Sequence, residues 1–160
     1  MSTPPTTRVE ARLEHEAGYR FRLSFASGAP SIMTDEPPPL GDTAGPDPTA
    51  LLAAAVGNCL ASSLLYCVRK SRVEPEELTV EVAVTRERDE HGRMRIGGLH
   101  VRLEPRLAEA DRARIGRCLE LFESYCVVTE SVRRGIRVDL DVAPVAAVVA
   151  GTTQSNGVLV

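Results

Sequence analysis

A chain of 160 residues with 43% hydrophobic and 26% charged side chains suits a single soluble globular domain with a sizeable core. A net charge of −3, with Lys and Arg scattered among acids as in Arg86-Glu87-Arg88-Asp89-Glu90, excludes a nucleic-acid-binding stripe and leaves that run as a solvated hairpin end. Four cysteines without a CxxC pair or zinc-type Cys/His spacing exclude a disulfide scaffold, and the polar stretch Met1–Thr7 carries no apolar signal segment, so a reducing, cytoplasmic setting is expected.

Residues 1–7 read as a flexible end. Val9, Ala11 and Leu13 alternate with Arg8, Glu10, Arg12 and Glu14, the period of a half-buried strand. Gly18 marks a turn. Tyr19, Phe21, Leu23 and Phe25 then alternate with Arg20, Arg22 and Ser24, completing a hairpin, and a short third strand falls at Ser31–Thr34. Asp35-Glu36-Pro37-Pro38-Pro39 with Gly41, Gly45 and Pro46 makes a loop. Asp47 caps the following helix and Pro48 takes its first position. That helix runs to Lys70 or Ser71, with Arg69, Lys70 and Arg72 where cations suit the macrodipole. Its stretch Ala50–Val68 is long enough to cross a membrane. Its Ala, Gly and Ser content, and a chain otherwise made of strands that need cover, favour a buried central helix and no membrane contact.

Leu78, Val80, Val82 and Val84 mark one face of a fourth strand, and Asp89-Glu90-His91-Gly92 turns the chain. Met94 and Ile96, then Leu99, Val101 and Leu103, form the return strand; the parity flips at Gly97-Gly98, as a β-bulge requires. Ile115, Cys118, Leu119 and Phe122 give an amphipathic helix over residues 108–123. Tyr125-Cys126 interrupts it, and a shorter helix from Val127 to Arg134 ends at Gly135. Ile136, Val138, Leu140 and Val142 alternate as a last strand, and residues 144–160 read as a flexible tail. The order βββ-α-ββ-αα-β predicts an α+β fold, one domain over residues 8–143, with antiparallel sheets packed on a central helix.

No Walker loop, dinucleotide fingerprint, HExxH or GxSxG occurs, so no cofactor or metal is expected. His15, His91 and His100 sit on or beside strands without supporting carboxylates or cysteines and read as surface or strand histidines. The thiols remain. Cys59, taken alone, is a small core residue on the long helix, and Cys67 and Cys118 carry the same packing role. Cys126 begins a helix, a position that favours the nucleophilic thiolate.

Pro48-Thr49-Ala50-Leu51-Leu52-Ala53-Ala54-Ala55-Val56-Gly57-Asn58-Cys59-Leu60-Ala61 resembles the first cysteine motif of the OsmC/Ohr family, whose members include organic hydroperoxide resistance proteins. Tyr125-Cys126-Val127-Val128-Thr129-Glu130-Ser131-Val132 resembles its second, and the resemblance extends over about residues 8 to 142. It implies an OsmC-like fold, an intertwined homodimer with its site at the interface, and reduction of organic hydroperoxides or hydrogen peroxide. Cys59 would then be the attacking thiol and Cys126 the resolving one, recycled by an external thiol or dithiol. The apolar lining from Leu51, Leu52, Val56 and Leu60 suits an organic substrate. The family's arginine falls on Arg20, with Arg22 as the alternative. The glutamate that holds that arginine is replaced at Thr49 or Ala50, which favours a second reading, a slow redox-sensing or ligand-binding dimer, while the retention of both cysteines favours the enzyme.

Overall fold

The computed structural model describes residues 7–142. The expected ends at residues 1–7 and 144–160 therefore lie, but for Thr7, outside the described residues. Three antiparallel strands, β1 (Ala11–Ala17), β2 (Arg20–Phe25) and β3 (Ile32–Thr34), form a first sheet in the order β1-β2-β3. The turn between β1 and β2 uses Gly18 at φ +55°, a backbone region open to glycine.

The central helix α1 (Pro48–Lys70) starts as its sequence requires. The Asp47 carboxylate accepts the Ala50 amide at 2.7 Å, and Pro48 fills a position whose missing N–H costs nothing. Val56, Leu60, Leu64 and Val68 recur every fourth residue on its buried face. They meet Val73, Ile115, Cys118, Phe122 and Cys126 in one core cluster. Burial of each such Val or Leu stabilises the chain by about 1.5–3 kcal/mol.

β4 (Glu77–Arg88) and β5 (Met94–Arg106) form a long hairpin, and α1 lies across it. Gly57 permits that approach: a Cβ there would meet Val82 Cγ2 at 2.7 Å. The pairing shifts register between Thr85 and Arg86, so that Gly98 faces Thr85 and Ile96 faces Arg86. Gly97 is the extra residue, where the flip in sequence parity places a bulge.

Two expectations fail. The helix over 108–123 is broken into α2 (Glu109–Arg112), a 3₁₀ turn (Ala113–Ile115), α3 (Gly116–Leu121) and a second 3₁₀ turn (Phe122–Tyr125). Neither α2 nor α3 has a side-chain cap, and Gly116 weakens helical continuity in the middle of the run. The shorter helix does form, as α4 (Val127–Arg133), followed by Gly135 at φ +70°. The expected last strand does not: residues 136–142 carry no strand. Val138 and Leu140 are 85% and 83% exposed. The alternation is there, but no strand within the described residues pairs with it, and a strand exists only through its partner's hydrogen bonds.

Candidate active site

Cys59 lies about three turns into α1, between the buried Val56 and Leu60. Cys126 is the residue before α4, fully buried where the Phe122–Tyr125 turn ends. α1 packs directly against both that turn and α4, which brings Cys59 against the core cluster that holds Cys126, near enough for each thiol to shift the other's ionisation. Neither is bonded to another cysteine. The Cys126 thiol also donates to Thr129 Oγ1 at 3.0 Å, one turn into α4.

These surroundings divide the two thiols. Burial raises the Cys59 thiol, and the hydrogen bond with Cys126 raises it further; the backbone amides of Val128 and Thr129 oppose this without reversing it. Burial also works against ionisation of Cys126. It is outweighed by hydrogen bonds from Cys59, Thr129 and Ser63, which hold Cys126 below the ordinary thiol value. In the single chain, therefore, the more acidic sulfur is the enclosed one, while the half-buried Cys59 is the one a reagent can reach.

A cavity of about 350 Å³ lies next to the pair, bordered by neighbours of the two cysteines and by neither sulfur itself. Val56 and Leu60 line it from α1, Leu99, Val101 and Leu103 from β5, and Phe122, Thr129 and Val132 from the far side. Of the four residues expected to line a pocket, Val56 and Leu60 do so; Leu51 and Leu52 are half-buried nearer the start of α1, outside this lining. Its polar part comes from His100 on β5 and from Arg133 and Glu123, which pair with one another at 2.7 Å.

Arg20 is not brought to the thiols within the chain. Its guanidinium lies 2.5 Å from Asp42 and 3.6 Å from Asp35. Asp35 is 2% exposed and accepts the amides of Glu36, Asp42 and Ala44, so it both folds the loop and anchors the arginine. Arg22 is exposed and pairs with Glu16. Asp47, the acid nearest the start of α1, is committed to the Ala50 amide and to Arg86 at 2.5 Å. Among the described residues no group of three His, Cys, Asp or Glu side chains could hold a metal ion.

The packing role read for Cys67 and Cys118 is incomplete. Both do join the core, but their sulfurs are bonded to each other, with a Cα–Cα separation of 5.6 Å. A signal was present in the spacing: Cys67 follows Cys59 by eight residues, and Cys126 follows Cys118 by eight. Two segments that run antiparallel along one interface bring 59 to 126 and 67 to 118 together.

The family model for OsmC-like protein matches residues 41–141. No protein among curated sequences matches. Among solved structures, an OsmC-like protein of unknown function from Vibrio cholerae superposes with a TM-score of 0.69 at 16% identity, covering 79% of this chain and 94% of that one. The organic hydroperoxide resistance protein OhrB of Bacillus subtilis gives 0.55 at 18% identity, covering 78% and 90%. An organic hydroperoxide resistance protein OsmC from Legionella pneumophila gives 0.57 at 16%, covering 81% and 91%. At these identities the likeness establishes the fold alone.

Proposed function

The chain belongs to the OsmC-like protein family, and we propose on that premise that Cys59 and Cys126 form a redox pair that reduces hydroperoxides at the expense of an external thiol or dithiol. The observation that carries this reading is that two free thiols from separate segments, Cys59 on α1 and Cys126 at the start of α4, come together closely enough to shift each other's ionisation, next to a cavity with aliphatic walls and a polar rim. The aliphatic wall from Val56, Leu60, Leu99, Val101 and Leu103 favours organic hydroperoxides over hydrogen peroxide.

Access assigns the roles. Cys126 is fully buried, so Cys59 attacks. The Cys59 thiolate takes the distal oxygen of ROOH, the O–O bond breaks, and the alkoxide leaves as ROH with a proton from solvent. The Cys126 thiolate then attacks the Cys59 sulfenic acid, the S–O bond breaks, and water leaves once the hydroxide is protonated. An external dithiol returns both sulfurs to thiols and becomes a disulfide.

Cys59 needs a cation to ionise, because burial pushes its thiol up. Arg20 fits that role from a second copy of the chain. Every residue of β1 is exposed, only 28% of the most apolar stretch of α1 is buried, and the alternating segment 136–142 has no partner strand among the described residues. An intertwined homodimer covers all three surfaces at once and carries a first sheet, with Arg20, over its partner's thiols. A cytoplasmic location supplies the thiol reductants this cycle consumes.

A slower redox-sensing or ligand-binding dimer is the second reading. It is favoured by the absence of an acid at Thr49 and Ala50 and by the engagement of Arg20 with Asp35 and Asp42. Stopped-flow consumption of an organic hydroperoxide in the presence of dithiothreitol separates the two. Cys59→Ser is expected to abolish consumption, and Cys126→Ser to leave a sulfenic acid that dimedone traps. Rapid single-turnover oxidation without sustained turnover supports the second reading; equal rates for wild type and Cys59→Ser contradict both redox roles.

A further inference from the structure

We propose that Cys67 and Cys118 are a second, separate dithiol–disulfide couple, exchanged by small thiols and disulfides and not by hydroperoxides. The two sulfurs are bonded across the same interface that joins Cys59 and Cys126, one from the last turns of α1 and one from α3. The eight-residue spacing on both segments makes the two pairs successive rungs of one ladder.

The surroundings of the rungs differ. The cavity takes Val56 and Leu60, which flank Cys59, and Thr129, which is bonded to Cys126, and no residue of α1 beyond Leu60, so it does not extend to Cys67 and a hydroperoxide has no bed at the second rung. Cys118 is 4% exposed, enclosed with Ile115 and Phe122, and its sulfur lies 3.6 Å from Ser71 Oγ. Cys67 is half-buried and open to a small reagent from the surface of α1. This asymmetry fixes the order of exchange. The Cys67 thiolate attacks a small disulfide RSSR, the S–S bond breaks, and one RS⁻ leaves. The Cys118 thiolate then attacks the Cys67 sulfur of the mixed disulfide, releasing the second RS⁻. Two cysteine thiols are oxidised, one RSSR is reduced to two thiols, and the two cysteine protons pass to the released thiolates. A dithiol reverses the exchange.

The consequence is mechanical. Cys118 and Cys126 belong to one continuous stretch of short helical turns, and Arg114 already ties the start of that stretch to the end of α1 by donating to the Ser71 carbonyl at 2.7 Å. The oxidised second rung holds that stretch on α1 and keeps Cys126 facing Cys59. The couple is set by ambient thiol poise, independently of the hydroperoxide reading.

The test uses the full chain carrying Cys59→Ser and Cys126→Ser, which removes the proposed hydroperoxide chemistry and leaves two cysteines. The reduced protein is treated with glutathione disulfide, alkylated and mapped by peptide mass spectrometry. The expected result is a Cys67–Cys118 linked peptide that dithiothreitol reverses, with no acceleration by an organic hydroperoxide. Mapping wild type in parallel gives the same linkage should the double variant fold poorly. Full alkylation of both cysteines, or glutathione retained on Cys67 without onward linkage, overturns the proposal. So does linkage formed faster by hydroperoxide than by glutathione disulfide.

Discussion

The Cys126 thiol and the Thr129 hydroxyl lie 3.0 Å apart, both enclosed, at the first turn of α4. A hydroxyl can rotate, so Thr129 accepts from the thiol and donates to the thiolate. Thr129→Val keeps the shape and removes the donor. The loss of one such hydrogen bond, about 1 kcal/mol, reduces the thiolate fraction roughly fivefold. Because Thr129 lowers the Cys126 value, the pH profile of Cys126 alkylation is expected to move upward in the variant. An unchanged profile contradicts the assignment.

Asp35 gives a second expectation, in acid stability. The Ala44 amide holds its carboxyl below the ordinary value of 3.8; burial opposes this, and the Asp42 and Glu36 amides and Arg20 reinforce it. A carboxylate with a depressed folded-state value stabilises the fold fully above its unfolded value and loses that contribution as pH falls through the folded one. Asp35→Asn is therefore expected to lower Tm by several degrees at neutral pH, with the gap to wild type closing below about pH 4. Thermal unfolding across pH 2–7 checks it (range set by the carboxylate titration window); a gap that stays constant with pH contradicts it.

Gly57 faces Val82 and Val80 with no room for a side chain. Gly57→Val is expected to push α1 off β4 and destabilise the fold by about 2 kcal/mol, read as a lower urea midpoint. A midpoint at or above wild type denies the close approach.

Much of this was legible in the sequence where local chemistry decides the outcome. The Asp47-Pro48 start of α1, the hairpin turn at Asp89–Gly92 and the bulge at Gly97 all follow from single residues whose conformational preferences no tertiary contact reverses. Segment 136–142 shows the limit: alternation specifies a face, while pairing depends on an edge that the sequence of one strand does not name. The broken helix over 109–125 shows another, since its apolar period survives the 3₁₀ turns that interrupt it. At the site, Cys59 and Cys126 were found through motif resemblance. The Cys67–Cys118 bond and the Asp35 anchor of Arg20 depend on which faces of distant segments meet, which no motif encodes.

The dimer is open to direct measurement. Light scattering at twice the chain mass is the expected result, and introducing charge with Val138→Asp and Leu140→Asp is expected to shift the protein toward monomer, because both side chains are exposed within one chain. Monomer mass for wild type contradicts the shared site.

The central claim rests on one bond that is open in the structure and closes on oxidation. Reduced wild-type protein treated with one equivalent of an organic hydroperoxide, then alkylated and digested, is expected to yield a Cys59–Cys126 linked peptide. Recovery of both cysteines as alkylated thiols under excess hydroperoxide contradicts it.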